Sequence, residues 1–114
     1  MITSDPSLFT SSVVKPDDFD QYWADTLRAT DTVPLNPRLT PDEMRSTDEI
    51  EVFEARYDSY GGIEIAGWYA RPRNFAGKLP GYLFVPGYVS EPKLPNDLAQ
   101  RGYAAFSAAP RGKL

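Results

Sequence analysis

The sequence predicts an α/β fold whose sheet is left unfinished, and three observations carry that reading. Gly81-Tyr82-Leu83-Phe84-Val85 is a continuous apolar run closed by Pro86-Gly87-Tyr88, the pattern of a strand buried on both faces. A loop, a short helical stretch and a second apolar run, Tyr103-Ala104-Ala105-Phe106, follow at once. That is the order of a right-handed strand-crossover-strand unit with parallel strands. The second run leads into Pro110-Arg111-Gly112-Lys113 at the end of the 114 residues, so half a fold is expected.

Taken in order, residues 1–14 are polar and turn-rich and read as an extended arm, with a domain over 15–114. Lys15-Pro16-Asp17-Asp18-Phe19 is a helix start, with proline at the first helical position and acids in the first turn. Phe19, Tyr22, Trp23 and Leu27 recur on one face, predicting an amphipathic helix over 16–29 that packs by those side chains. The acids Asp17, Asp18, Asp20 and Asp25 read as a solvated face rather than a cation site. From Thr30 to Ser46, Pro34, Pro37 and Pro41 are expected to exclude regular structure, apart from one helical turn at Asp42–Arg45.

Ile50 to Ser59 reads as a strand whose apolar set changes face between Val52 and Phe53, which predicts a bulge or a strong twist. Tyr60-Gly61-Gly62 is a turn, and Ile63 to Arg71 returns as the second strand of an antiparallel hairpin, stopped by Pro72. Its Ile63, Ile65 and Tyr69 share one face and Trp68 takes the other. A short helix from about Asn96 to Arg101 is closed by Gly102 in the left-handed position.

Composition narrows the function. The chain is 41% apolar and 13% aromatic, enough for a core, and its formal charge of −4 without a basic cluster argues against nucleic acid or anionic membranes as partners. No signal peptide or membrane span is visible, so a cytoplasmic protein is expected. Cysteine and histidine are both absent. Disulfides, thiolate nucleophiles, the commonest general base and the commonest metal ligand are thereby removed. Acid–base chemistry falls to Asp, Glu, Lys or Tyr, or to another polypeptide.

No serine stands in a Gly-x-Ser-x-Gly elbow, and Ser90, the nearest candidate, has no base to activate it. No phosphate-binding glycine loop is present. Trp68, Tyr69 and Tyr88 are weighed as a carbohydrate-stacking platform, with packing the stronger reading for the first two. What remains is Gly87-Tyr88. A turn just past a parallel strand sits where open α/β sheets gather their chemistry, and N–H groups there can face a developing oxyanion. An ordinary strand-ending turn is the alternative.

Five blocks then fall in order: Pro16-Asp17-Asp18-Phe19-Asp20-Gln21-Tyr22-Trp23, Tyr60-Gly61-Gly62-Ile63-Glu64-Ile65-Ala66-Gly67-Trp68-Tyr69-Ala70-Arg71-Pro72, Leu79-Pro80-Gly81-Tyr82-Leu83-Phe84-Val85-Pro86-Gly87-Tyr88, Arg101-Gly102-Tyr103 and Arg111-Gly112-Lys113. Together they resemble the N-terminal portion of the acetyl xylan esterase and cephalosporin C deacetylase family, α/β-hydrolase serine esterases. The resemblance implies that Tyr88 lends its backbone N–H to an oxyanion hole, that Gly87 shapes that turn, and that Arg111 supports the active-site loops. Pro86 stands where the family usually has His, Lys113 where it has Gln, and Ala109 where an acid is often found. The family's catalytic Ser, Asp and His have no counterpart within these 114 residues.

The expected fold is therefore an incomplete α/β-hydrolase: N-terminal helix, antiparallel hairpin and first parallel strand-helix-strand unit. The expected function is that of an N-terminal segment or small subunit of an ester hydrolase acting on acetylated or other small esters, inactive alone. A complementing polypeptide carrying the triad, or self-association, is the expected partner, and no cofactor or metal is implied. The alternative is a non-catalytic interaction protein that keeps the half-fold to bind a partner. The 103–108 strand is expected to be the bare apolar edge where the partner adds.

Overall fold

The computed structural model of the chain describes residues 5–110. The hairpin is its backbone. Strand β2 (Ile50–Ser59) turns through the 3₁₀ segment Tyr60–Gly62 into β3 (Ile63–Pro72), and the two pair without interruption from Ile50–Pro72 to Ser59–Ile63. Gly61 and Gly62 take φ of 73° and 70°, the left-handed region that glycine enters without penalty. The unbroken register excludes the expected bulge. Alternation explains the face change instead, because the strand buries different faces along its length. Ile50 and Val52 lie on one face; Phe53, Ala55 and Tyr57 lie on the other.

Outside the hairpin, β1 (Arg38–Pro41) pairs antiparallel with β2, from Arg38–Arg56 to Pro41–Phe53. The prolines were expected to exclude structure here, and they do not. Pro34 and Pro37 precede the strand and Pro41 closes it, which an edge position tolerates. The helical turn at Asp42–Arg45 forms as expected, with the Ser46 N–H donating to the Asp42 carbonyl at 3.1 Å.

The crossover unit also forms. Strand β4 (Gly81–Phe84) runs parallel to β5 (Ala104–Ala109), joined through helix α2 (Asn96–Gln100), with Gly102 at φ 93° just beyond it. The sheet order is β1-β2-β3-β5-β4. Strand β5 also pairs antiparallel with β3, Tyr69 opposite Phe106, so the 103–108 run is central and β4 is the edge. That corrects the sequence reading. The β4 strand, expected to be buried on both faces, is largely exposed, with Leu83 62% accessible.

One sheet face carries the core. Ile50, Val52 and Ala70 pack under Ala99 of α2, with Trp68 against them, and Ala105, Ser107 and Ala109 continue the buried surface. The small residues of β5 let a five-residue helix approach closely. Trp68 is capped on its outer side by the Arg45 guanidinium, 4.8 Å from the ring centre.

Helix α1 spans Phe19–Asp31, starting three residues later than the first-turn proline suggests. Pro16 to Phe19 closes a tighter turn first, through a 3.1 Å bond from the Phe19 N–H to the Pro16 carbonyl. Its aromatic face exists but is not buried: Phe19, Tyr22, Trp23 and Leu27 all remain 43% or more exposed. The radius of gyration, 19.3 Å, exceeds the roughly 13 Å of a compact domain of about this size.

Candidate functional site

Two strand ends of the parallel pair point the same way. At the end of β4, Val85 and Pro86 lead into a tight turn in which the Ser90 N–H donates to the Gly87 carbonyl at 3.3 Å. The Ser90 hydroxyl donates to the same carbonyl at 3.2 Å. Ser90 is thus a turn-closing residue here. Gly87 does not adopt a positive φ, and a Cβ built on it would meet the Ser90 Oγ at an ordinary 3.5 Å. The turn itself therefore does not require glycine. Tyr88 stands at the tip, 98% exposed. The end of β5 at Ala109 and Pro110 lies on the same side, and Arg111 falls outside the described residues.

The three aromatic residues weighed as a carbohydrate platform are separated. Trp68 faces α2 and the core, Tyr69 faces the opposite side of the sheet, and Tyr88 is on the turn after β4. Strand alternation alone divides the first two.

The sequence reading put Tyr69 on the face opposite Trp68 but did not single out the trough that lies there. There, away from α2, Leu35, Leu39, Tyr57, Tyr69, Leu83 and Phe106 line an open trough of about 650 Å³. Tyr57 meets Phe106 edge-on at 6.0 Å between centroids, and Phe53 lies against Tyr69 at 5.8 Å. Burial pushes the Tyr57 phenol above its ordinary pKa. The trough is legible in the alternation of β2, where Phe53, Ala55 and Tyr57 recur at every second position.

Charge near the trough is internally balanced. Arg38 bonds Asp58 at 2.9 Å and Glu64 at 2.8 Å, and Arg56 bonds Glu64 at 2.7 Å and Glu54 at 2.6 Å. Arg38, then Asn36, hold the Asp58 carboxyl below the ordinary carboxylate range, and Arg56, then Arg38, do the same for Glu64. Arg71 is paired with Glu51 at 3.0 Å and lies over Phe53. Each guanidinium in this set is already paired with at least one carboxylate. Among the described residues, no group of acids is arranged to hold a metal ion, and no helix is long and apolar enough to cross a membrane.

A family model described as acetyl xylan esterase (AXE1) matches residues 7–114. The chain belongs to the acetyl xylan esterase family. Its fold is that of solved members. An acetyl xylan esterase from Paenibacillus sp. R4 superposes with a TM-score of 0.76 at 27% identity, over 90% of this chain and 34% of that one. Acetyl xylan esterase 1 from Thermoanaerobacterium sp. JW/SL YS485 superposes with a TM-score of 0.76 at 25% identity, over 86% of this chain and 31% of that one. Nothing among curated proteins matches the chain. The chain therefore spans about a third of the length of the solved esterases it resembles. The incomplete α/β-hydrolase reading agrees with that coverage, and the arrangement of hairpin, β4, α2 and β5 is the part of the family fold present.

Proposed function

We propose that this chain is the N-terminal part of a serine ester hydrolase that removes acetyl groups from small or carbohydrate esters. In this reading the backbone N–H of Tyr88 donates to the oxyanion of the tetrahedral intermediate. Gly87 keeps the approach to that N–H open, and Arg111 supports the neighbouring loop. The nucleophile, its base and the acid that orients the base are supplied from outside these 114 residues, by a C-terminal segment or a partner chain, because the 114 residues hold no histidine and no nucleophile elbow. The single observation that carries the reading is family membership over residues 7–114, combined with a tight turn at Gly87-Tyr88 directly beyond a parallel strand.

The mechanism follows from the backbone. A hydroxyl attacking an acetyl carbonyl places negative charge on its oxygen, and a fixed N–H lowers that barrier without reorganising. A side-chain hydroxyl at position 88 is not needed, since the donor is the main chain. The experiment supplies the chain with the remaining part of an acetyl xylan esterase, such as the Paenibacillus sp. R4 enzyme without its matched portion, and assays 4-nitrophenyl acetate. The pure chain alone is inert. In the complemented assembly Tyr88→Phe retains activity, whereas Tyr88→Pro, which deletes the N–H, lowers kcat about 100- to 1,000-fold. Equal activity for both variants, or turnover by the pure chain alone, overturns the proposal.

A further inference from the structure

The bend beyond β4 is a β-turn with Gly87 and Ser90 at its ends and Tyr88 and Val89 between them. The Gly87 carbonyl accepts twice from one residue. The Ser90 N–H reaches it at 3.3 Å and the Ser90 hydroxyl at 3.2 Å, one for each lone pair of the oxygen.

That carbonyl belongs to the same peptide unit as the Tyr88 N–H. Among the described residues no peptide bond is cis, so the C=O and the N–H of this unit point in opposite directions within one plane. Whatever orients the Gly87 carbonyl therefore orients the Tyr88 N–H, and aims it away from Ser90.

The two central peptides of the turn are held by different means. Flipping the Tyr88–Val89 unit would require a positive φ at Val89, which a β-branched residue resists and which Val89 does not have. The Gly87–Tyr88 unit follows a glycine, whose backbone rotates with the least hindrance. Here the two bonds from Ser90 take the place of steric restraint.

We propose that Ser90 is a positioning residue for the oxyanion hole. Its hydroxyl and N–H together hold the Gly87–Tyr88 peptide, so that the Tyr88 N–H meets the developing negative charge without reorganising. The inference rests on the role given to Tyr88 above. It assigns this serine a task that needs no base, since the hydroxyl donates to a carbonyl and attacks nothing.

The completed assembly, assayed with 4-nitrophenyl acetate, tests it. Ser90→Ala keeps the N–H and deletes the hydroxyl bond. It should lower kcat and kcat/KM together by about 3- to 10-fold, the worth of one hydrogen bond, with KM unchanged. Ser90→Thr, which restores a hydroxyl, should recover most of the parent rate. In a double-mutant cycle Ser90→Ala should add nothing once Tyr88→Pro has deleted the N–H. A trifluoromethyl ketone, whose serine adduct carries the oxyanion, should lose affinity in Ser90→Ala by the same factor as kcat. A loss that threonine does not rescue, or one that adds in full to that of Tyr88→Pro, would overturn the positioning role. If Tyr88→Pro is impaired and Ser90→Ala is fully active, the positioning role falls and the oxyanion reading stands. If Tyr88→Pro is fully active, both fall. Should Tyr88→Pro fail to assemble, the ketone affinity and the threonine variant decide.

Discussion

The ring of Phe106 lies directly across Gly67: a Cβ added at Gly67 would come within 2.6 Å of the ring's Cε2 and Cζ and 2.8 Å of the Ser107 carbonyl oxygen. Gly67 is therefore fixed by the approach of β5 to β3, not by a turn. Gly67→Ala should destabilise the chain by about 1–3 kcal/mol, measured by urea denaturation. Gly67→Ala combined with Phe106→Leu should recover only part of the loss, since the carbonyl does not move with the ring. Full recovery would show that the ring alone sets the requirement.

The two tryptophans should behave oppositely. Trp68 packs on Ile50, Val52, Ala70 and Ala99 under the Arg45 cation. Trp68→Ala should cost about 3 kcal/mol, at the lower end for tryptophan because the ring is only partly buried. Trp23, 48% exposed, should change the unfolding free energy by no more than about 0.5 kcal/mol when replaced by alanine. A large effect at Trp23 would mean that the aromatic face of α1 is covered in solution.

Acid should weaken the hairpin's charged end. Asp58 and Glu64 have folded pKa values depressed by hydrogen bonds from Arg38, Asn36 and Arg56. Their contribution is complete above the unfolded carboxylate values, near about 4, and is lost as pH falls through the folded ones. These pairs are exposed, so salt screens them and the effect is small. Glu64→Gln should flatten the decline in denaturation midpoint on acidification below about pH 5, and added salt should narrow the difference from the parent chain.

Ser107 is fully buried beside Trp68 on β5, and its hydroxyl has no hydrogen-bond partner. Ser107→Ala should therefore be neutral or stabilising, by up to about 1 kcal/mol, because it removes an uncompensated polar group. A loss of more than 1 kcal/mol would point to an internal partner for that hydroxyl.

Legibility in the sequence followed the range of the physics involved. The hairpin, the parallel unit and the left-handed Gly102 were readable because each rests on local alternation, turn residues or a single φ. Strand order was not, because nothing local says that Phe106 pairs with Tyr69. The pairing of Arg38 with Arg56 across β1 and β2 was hidden for the same reason: prolines around it argued for a loop, and the partner strand outweighed them. The helix at Phe19 was visible from its periodicity, but periodicity tells which face is apolar and not whether anything covers it. At the site, a turn after the β4 run was legible from Pro86-Gly87, while local sequence did not say that this glycine would keep an ordinary φ.

The sheet order has a consequence for how the chain acquires its structure. Strand β5 is made after β4 yet lies between β3 and β4. On the ribosome, β4 therefore emerges with no strand to join, because its neighbour has not yet been synthesised. The hairpin can form early from local contacts, but Gly81 to Phe84 must wait until Ala104 to Ala109 have left the tunnel and slotted in. Pairings across such sequence distances form slowly, and an apolar segment that waits unpaired is open to capture by other chains.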